Sequence, residues 1–240
     1  MRYCLIFLFA LISQGTLGQS RELLREGTIV FERRENLMYL KRKQILQETN
    51  HNNANFRSLY FELSFNPRKS VYKPVISNAT DNSVGLPGED NIVFQDVQTE
   101  MSTIRKNVLG QFFLLKKPFS EARWKLTEEK RIIAGFECKR ANAIIMDSIY
   151  AIAFYTDDIV SSLGPESFMG LPGMILGLVL PHKHVSWFAI KVNATAEPDE
   201  KIAAPDKGIK KTTQELKEII QKSIGTADPQ LQEYLYLYLL

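Results

Sequence analysis

Strict alternation of apolar and polar residues constrains the fold of this chain more than any other feature. In residues 58–66, the side chains of Leu59, Phe61, Leu63 and Phe65 share one parity, and mostly polar residues occupy the other. Successive side chains of a strand point to opposite faces, so this pattern predicts a half-buried antiparallel strand. Eight further segments resemble strands separated by polar turns: 27–34, 70–75, 108–116, 123–127, 131–143, 148–156, 174–180 and 184–194. We therefore expect a mainly-β fold, an antiparallel meander that forms a curved half-barrel or a sandwich.

One helix is predicted near the C-terminus, over residues 212–225. Thr212 and Glu215 have the spacing of a capping box, and Gly225 is placed to end the helix. An apolar stripe follows the cap: Leu216, Ile219, Ile220 and Ile224. Residues 197–211 have the composition of a linker. The final segment, 234–240, alternates tyrosine with leucine and is expected to pack as a strand against the protein's own sheet.

The first eighteen residues have the three-part pattern of a secretory signal peptide. Arg2 is their only charge, residues 3–12 are apolar, and Thr16 and Gly18 supply small residues before a cut at Gln19. We therefore expect an exported protein, periplasmic or at the cell surface, in which residues 19–240 form a single β-rich domain. Without the signal no membrane-spanning segment is expected.

Residues 164–180 combine two proline–glycine turns with an apolar run that is too short to cross a membrane. We expect a type I-like turn at 164–167 and a type II turn at 171–174, in which Gly173 supplies the positive φ. The run 174–180 lacks alternation and predicts a strand covered on both faces. The alternative is that the turns hold Phe168, Met169 and Leu171 along a groove or against a partner. The candidate interaction residues are Gly164, Pro165, Phe168, Gly170, Leu171, Pro172 and Gly173.

The same tetrapeptide occurs a second time, at Gly85-Leu86-Pro87-Gly88. Its flanks are polar, so we expect only a turn within the loop 78–90.

No set of catalytic or metal-binding residues is recognisable. Cys138 has the parity of an inward-facing strand residue, where a thiol is a small hydrophobe. His182 and His184 follow Pro181 in what we interpret as a hairpin turn, and no third ligand has suitable spacing.

Charged residues near the turns are also expected to be ordinary. Asp157, Asp158 and Glu166 are expected to be solvated surface charges. We predict no catalytic residue, no metal and no cofactor. The 30 basic and 27 acidic residues are nearly balanced, so nucleic acid is not an expected partner.

Several motif blocks follow one another along the chain. An early strand pair contains Leu59-Tyr-Phe-Glu and Ser70-Val-Tyr, and a tryptophan-to-cysteine strand pair lies in 124–141. The block 153–159 then leads to the Gly-Pro, Phe and Gly-Leu-Pro-Gly-Met-Ile elements of 164–175. In this order, over most of the chain, the blocks resemble the GLPGLI family, secreted proteins of Gram-negative envelopes. The chain departs from the family pattern at Phe154, Met174 and Gly177.

The resemblance implies an envelope β-protein that works near outer-membrane receptors, and it transfers no catalytic residue. We therefore expect a non-enzymatic binding protein whose partner is an envelope or outer-membrane protein, or an apolar ligand. Two alternatives stay open: a periplasmic lipid or lipoprotein carrier, and a thiol-dependent hydrolase that uses Cys138.

Overall fold

The computed structural model describes residues 23–36, 56–75, 87–108, 110–120, 122–146, 148–224 and 236–239. The predicted signal peptide lies outside these residues. The described strands are β1 (Gly27–Asn36), β2 (Phe56–Phe65), β3 (Lys69–Pro74), β4 (Ile92–Asp96), β5 (Met101–Val108), β6 (Gln111–Pro118), β7 (Lys125–Ile133), β8 (Phe136–Ile145), β9 (Ile149–Thr156), β10 (Met174–Leu180), β11 (Val185–Asn193) and β12 (Ile209–Lys211). The described helices are α1 (Thr213–Ile224) and two 3-10 turns, Pro181–Lys183 and Tyr236–Tyr238.

All twelve strands belong to one sheet, in the order β12-β6-β5-β4-β3-β2-β1-β11-β10-β9-β8-β7. Neighbouring strands are antiparallel, except that β12 runs parallel to β6. The predicted mainly-β meander is confirmed, as one open sheet rather than a sandwich of two. Strand β1 joins the two halves of the meander, because it pairs with β2 on one side and with β11 on the other.

The sheet is curved around one apolar face, which we call the inner face. Ile29 and Phe31 of β1 point to it, as do Leu63 and Tyr72 of the next two strands, and all four are buried. The rings of Phe61 and Tyr72 stack there, with centroids 4.9 Å apart. Strands β6 and β8 lie near opposite ends of the strand order, yet residues of both line one groove. The two halves of the sheet therefore bend towards each other.

Two strand predictions were wrong because hairpin turns interrupt them. Residues 131–143 are divided between β7 and β8 by Ala134 and Gly135, whose φ angles are 49° and 88°. Positive φ at both central positions is typical of the tight turns that match hairpin twist. In the same way, residues 108–116 include the end of β5, a turn and most of β6. The strands β4, β5 and β12 were not predicted, since polar residues occupy many of their positions.

The covered strand predicted at 174–180 is confirmed, because six of the seven residues of β10 are buried. Gly177 lies opposite Phe154, on the side of the sheet away from the inner face. A Cβ at Gly177 would lie 2.9 Å from the Phe188 ring and 3.0 Å from Cδ1 of Ile133. The absence of a side chain therefore lets the β7–β8 hairpin close over this strand, where the Arg131 guanidinium lies 4.9 Å from the Phe188 ring centroid.

The C-terminal helix forms as its capping box predicts. The backbone N–H of Glu215 donates to the Thr212 hydroxyl over 3.1 Å, and the N–H of Thr212 donates to the Glu215 carboxylate over 2.8 Å. The backbone hydrogen bond from Thr212 is the main reason why the pKa of Glu215 falls to about 2. Leu216 and Ile220 pack into the core. No described helix is long and apolar enough to span a bilayer.

The strand predicted at 234–240 was wrong for the residues that the structure describes there. Residues Tyr236–Tyr238 form a 3-10 turn. Leu237 and Tyr238 are nevertheless buried in the core, so the predicted packing against the protein's own sheet is confirmed.

Candidate functional site

The 164–173 segment lies across the inner face of the sheet. Its Phe168 ring is 6.5 Å from the ring of Trp187 in β11, and the Gln95 amide of β4 donates to the Met169 sulfur over 3.5 Å. The strands β4 and β11 are separated by three other strands. The indole N–H of Trp124 also donates to the carbonyl of Met169, over 2.8 Å. The curved sheet therefore surrounds this segment, and we call residues 164–173 the plug.

The structure places most of the predicted interaction residues inside the protein. Gly164, Pro165, Leu171 and Gly173 are buried, Phe168 is 7% exposed, Gly170 is half-buried, and Pro172 is exposed. Leu171 therefore presents no side chain to a partner in this conformation. Phe168 and Met169 line the groove described below, which was the other functional interpretation of this motif.

The turn types predicted for this motif were wrong, although turns do form. Gly170, not Gly173, has the positive φ, at 93°. The first turn is shifted by one residue, so that the N–H of Phe168 donates to the carbonyl of Pro165 over 3.2 Å. Glu166 there has a φ of 55°. Gly173 is required for space instead, because an added Cβ would lie 2.1 Å from the carbonyl oxygen of Thr156.

In the second copy of the tetrapeptide, the two residues that the structure describes, Pro87 and Gly88, lie in a turn at residues 87–90, as predicted. It also contacts the sheet interior, which we did not predict. The Arg33 guanidinium donates to the carbonyl of Pro87 over 2.7 Å and forms a buried ion pair with Glu35. It lies 5.3 Å from the centroid of the Trp187 ring. Gly88 has a φ of 84°, so in this copy the last glycine supplies the left-handed conformation.

A buried carboxylate joins the two segments that contain the copies of the tetrapeptide. The Asn91 amide, just after the second copy, donates to the buried carboxylate of Glu166 over 2.9 Å. Lys106 of β5 is also buried, and burial lowers its pKa to about 8 while the charge of Glu166 opposes that change. Five buried polar residues thus hold both loops against the inner face. We call them the buried polar cluster: Arg33, Glu35, Asn91, Lys106 and Glu166.

The expectation that the carboxylates near the turns are solvated was wrong for two of the three. Glu166 and Asp158 are buried. Only Asp157 is a surface charge, and it forms an ion pair with Lys139.

An open groove of about 660 Å³ lies beside the plug, where the two halves of the sheet approach each other. Phe168 and Met169 form one wall, Ile144 and Ile145 at the end of β8 form another, and Leu239 contributes from the C-terminal turn. Two cations also line it, Lys117 of β6 and Arg123 of the β6–β7 connection. The groove residues outside the plug were missed because they are distant from it in sequence. One signal in the sequence could have indicated the groove. Lys117 shares the parity of the apolar Phe113 and Leu115, which places a cation on the buried face of the strand.

Cys138 is fully buried, as its parity predicted. Its sulfur donates to the carbonyl of Phe136 over 3.6 Å, and burial raises the pKa of the thiol to about 12. A nucleophilic cysteine needs an accessible thiolate, and this environment disfavours one.

Native Cys138 should therefore resist alkylation. In a chain carrying Cys4→Ser, we expect iodoacetamide at pH 8 to label the folded protein about a thousandfold more slowly than the urea-unfolded chain, because a pKa near 12 leaves so little thiolate. Quantitative mass spectrometry gives both rates. A matched variant carrying Cys4→Ser, Cys138→Ala and Ile132→Cys places a thiol at a position that is 67% exposed on the same hairpin, and it should react quickly in the folded state. Equal labelling of folded and unfolded Cys138 would contradict a buried thiol.

The histidine pair lies where the sequence placed it. Residues Pro181–Lys183 form a 3-10 turn that joins β10 to β11, and His184 has a φ of 52°. The hairpin-turn interpretation is therefore confirmed. Within the residues that the structure describes, no three histidine, cysteine, aspartate or glutamate side chains come together as metal ligands.

A protein-family model matches residues 139–177, and its description is "Protein of unknown function (Porph_ging)". This match begins in β8 and extends through the plug into β10. It therefore covers two walls of the groove, the one at Ile144 and Ile145 and the one that the plug forms. No curated protein matches the chain.

Solved structures resemble the sheet at low sequence identity. Two structures of PNGF-II, in the C2 and P21 space groups, match with TM-scores of 0.54 and 0.52 at 14% and 15% identity. Each match covers 83% of this chain but only 33% and 34% of the PNGF-II chain, so the protein spans about a third of its length. An uncharacterized conserved protein from Thermus thermophilus matches at 8% identity with a TM-score of 0.41, over 80% of this chain and 93% of that one. At such identities the PNGF-II likeness shows a shared fold alone.

Proposed function

We propose that this chain is a non-enzymatic binding protein, and that the groove beside the plug takes an apolar ligand. The observation that carries the proposal is the groove itself. Its volume of about 660 Å³ lies within the range of small-ligand sites. Seven of the eleven described residues that line it are apolar, and the plug that forms one wall is anchored to the sheet by the buried polar cluster. A wall held in place before binding reduces the ordering cost of the complex.

The plug decides where an apolar ligand can bind. A carrier that held acyl chains across the whole concave sheet would need that face to be open, but the 164–173 segment fills it. The groove at the seam between β6 and β8 is the remaining apolar opening that we identify beside the plug. The alternative of a thiol hydrolase gains no support from a buried Cys138 with a raised pKa.

A neutral fluorescent probe tests the site. We expect N-phenyl-1-naphthylamine to bind the full chain with enhanced emission, and Ile144→Gln to weaken that binding about tenfold because part of an apolar wall is lost. Ile144 is 57% exposed, so the substitution should leave the melting temperature almost unchanged. Ile132→Gln is the matched control, since Ile132 is 67% exposed on the same hairpin and lies outside the groove. Absence of probe binding, or equal effects of the two substitutions, would contradict a ligand site in this groove.

We also propose that the protein is of the GLPGLI type and is exported to the periplasm or cell surface. The ordered motif blocks support the family, and the three-part pattern of residues 1–18 supports export. Expression of the full chain in a Gram-negative host, followed by intact mass measurement of the envelope fraction, should give a mature protein that begins at Gln19. Retention of residues 1–18 on a protein found in the cytoplasmic fraction would contradict export.

A further inference from the structure

Resting on the proposed function, we propose that the groove ligand is an anionic amphiphile: a single aliphatic chain packs against Ile144, Ile145 and Phe168, and its carboxylate or phosphate head group is held by Lys117 and Arg123. The inference concerns the class of ligand, and it follows from the charges that line the groove.

The two cations are the only charged side chains among the described residues that line this groove. No described carboxylate forms an ion pair with either of them. By contrast, two other cations that are buried or half-buried do have such partners: Arg33 pairs with Glu35, and Arg57 pairs with Glu89. A groove that presents two cations and no described carboxylate complements an anion.

Lys117 is the better placed of the two cations for a ligand in the groove. It pairs with Ser102 across β5 and β6, and Ser102 points to the inner face. Lys117 is half-buried, and burial lowers the pKa of its ammonium below that of an ordinary lysine. A desolvated ammonium gains more from an anionic partner than a solvated one does, because the interaction is less screened. Arg123 is exposed at the mouth, where its planar fork suits a carboxylate or phosphate.

The apolar walls determine the rest of the ligand. Six apolar residues line the same groove as the two cations: Ile144, Ile145, Met146, Phe168, Met169 and Leu239. A free inorganic anion would leave these surfaces exposed to water, whereas an aliphatic chain would cover them. A head group and a chain in one molecule satisfy both parts of the lining.

Calorimetry with matched twelve-carbon ligands tests the inference on the full chain, below the concentrations at which they form micelles. The probes are dodecanoate, neutral dodecanol, cationic dodecyltrimethylammonium and inorganic phosphate. We expect dodecanoate to bind about tenfold more tightly than dodecanol, since a charge-assisted contact adds to the same apolar contact. Lys117→Gln should remove that advantage and leave dodecanol binding unchanged. Arg123→Gln should weaken dodecanoate binding to a smaller extent.

Lys116→Gln is the matched control, because Lys116 is the neighbouring residue on the opposite, exposed face of β6. It should change neither affinity. If dodecanoate and dodecanol bind equally and Lys117→Gln has no effect, the head-group inference is wrong while the proposed apolar site stands. If none of the twelve-carbon ligands binds, the proposed function fails with it. If phosphate alone binds as tightly as dodecanoate, the groove is an anion site and the amphiphile is overturned.

Discussion

Replacing Gly173 by alanine is expected to destabilise the protein by about 3 kcal/mol or more, because the added methyl group would overlap rigid backbone atoms. The added Cβ would lie 2.1 Å from the carbonyl oxygen and 2.7 Å from the carbonyl carbon of Thr156. Both are backbone atoms at the end of β9, the strand that pairs with β10, and they cannot rotate aside as a side chain can. The plug enters β10 at this residue, so the substitution would separate the plug from the sheet.

Thermal unfolding followed by circular dichroism measures the effect of Gly173→Ala. For a chain of this size, each kcal/mol lowers the melting temperature by about 2–4 °C. Pro172→Ala is the matched control, because Pro172 is the exposed neighbour; it should cost less than about 1 kcal/mol. Unchanged melting of Gly173→Ala would show that the Thr156 carbonyl can move without cost, and close packing would not then explain this glycine.

Replacing Arg33 by methionine is expected to cost about 3–5 kcal/mol, the usual loss when one partner of a buried ion pair is removed. Arg33 pairs with buried Glu35, donates to the Pro87 carbonyl and covers the Trp187 ring. Its loss leaves the Glu35 carboxylate buried without its cation. Unlike Gly173→Ala, this change acts on the half of the sheet that holds the second tetrapeptide.

Two further variants separate the charge from the packing. Arg34→Met changes the adjacent residue, which is exposed and lies over the Phe56 ring at 4.7 Å, so its cost should stay below about 1 kcal/mol. The double variant Arg33→Met/Glu35→Met should recover most of the lost stability, because neither charge of the pair then stays buried without the other. Urea unfolding gives all four free energies. A double variant as unstable as Arg33→Met would mean that the ion pair is not the source of the effect.

The sequence predicts a strand best when one face of the strand is buried and the other is exposed to solvent. Residues Leu59, Phe61, Leu63 and Phe65 alternate strictly with polar residues, and β2 occupies residues Phe56–Phe65. The hairpin at Ala134 and Gly135 was missed because apolar residues continue on both sides of the turn. Local alternation reports which face of a strand is buried, but it does not report where the chain reverses.

The candidate site was predictable only in part, for a similar reason. The unusual composition of 164–173 identified the plug, and Phe168 and Met169 do line a groove. The wall at Ile144 and Ile145 comes from the end of β8, two strands from β10 in the sheet, and no local pattern links it to the plug. The burial of Glu166 was also unpredictable, since its partners Asn91 and Lys106 lie far from it in sequence.

By itself, the sequence determined the mainly-β class, the C-terminal helix with its cap, the burial of Cys138 and the location of the proline–glycine segment. These depend on side-chain periodicity and on hydrogen bonds between near neighbours, which a short stretch of chain contains. Only the tertiary structure decided that the segment is a plug, that Gly173 serves close packing rather than a left-handed turn, and that Lys117 and Arg123 face an apolar groove. Each of these depends on contacts between strands that are distant in sequence and that come together when the sheet curves. Whether a side chain is buried or paired with a charge is decided by those contacts.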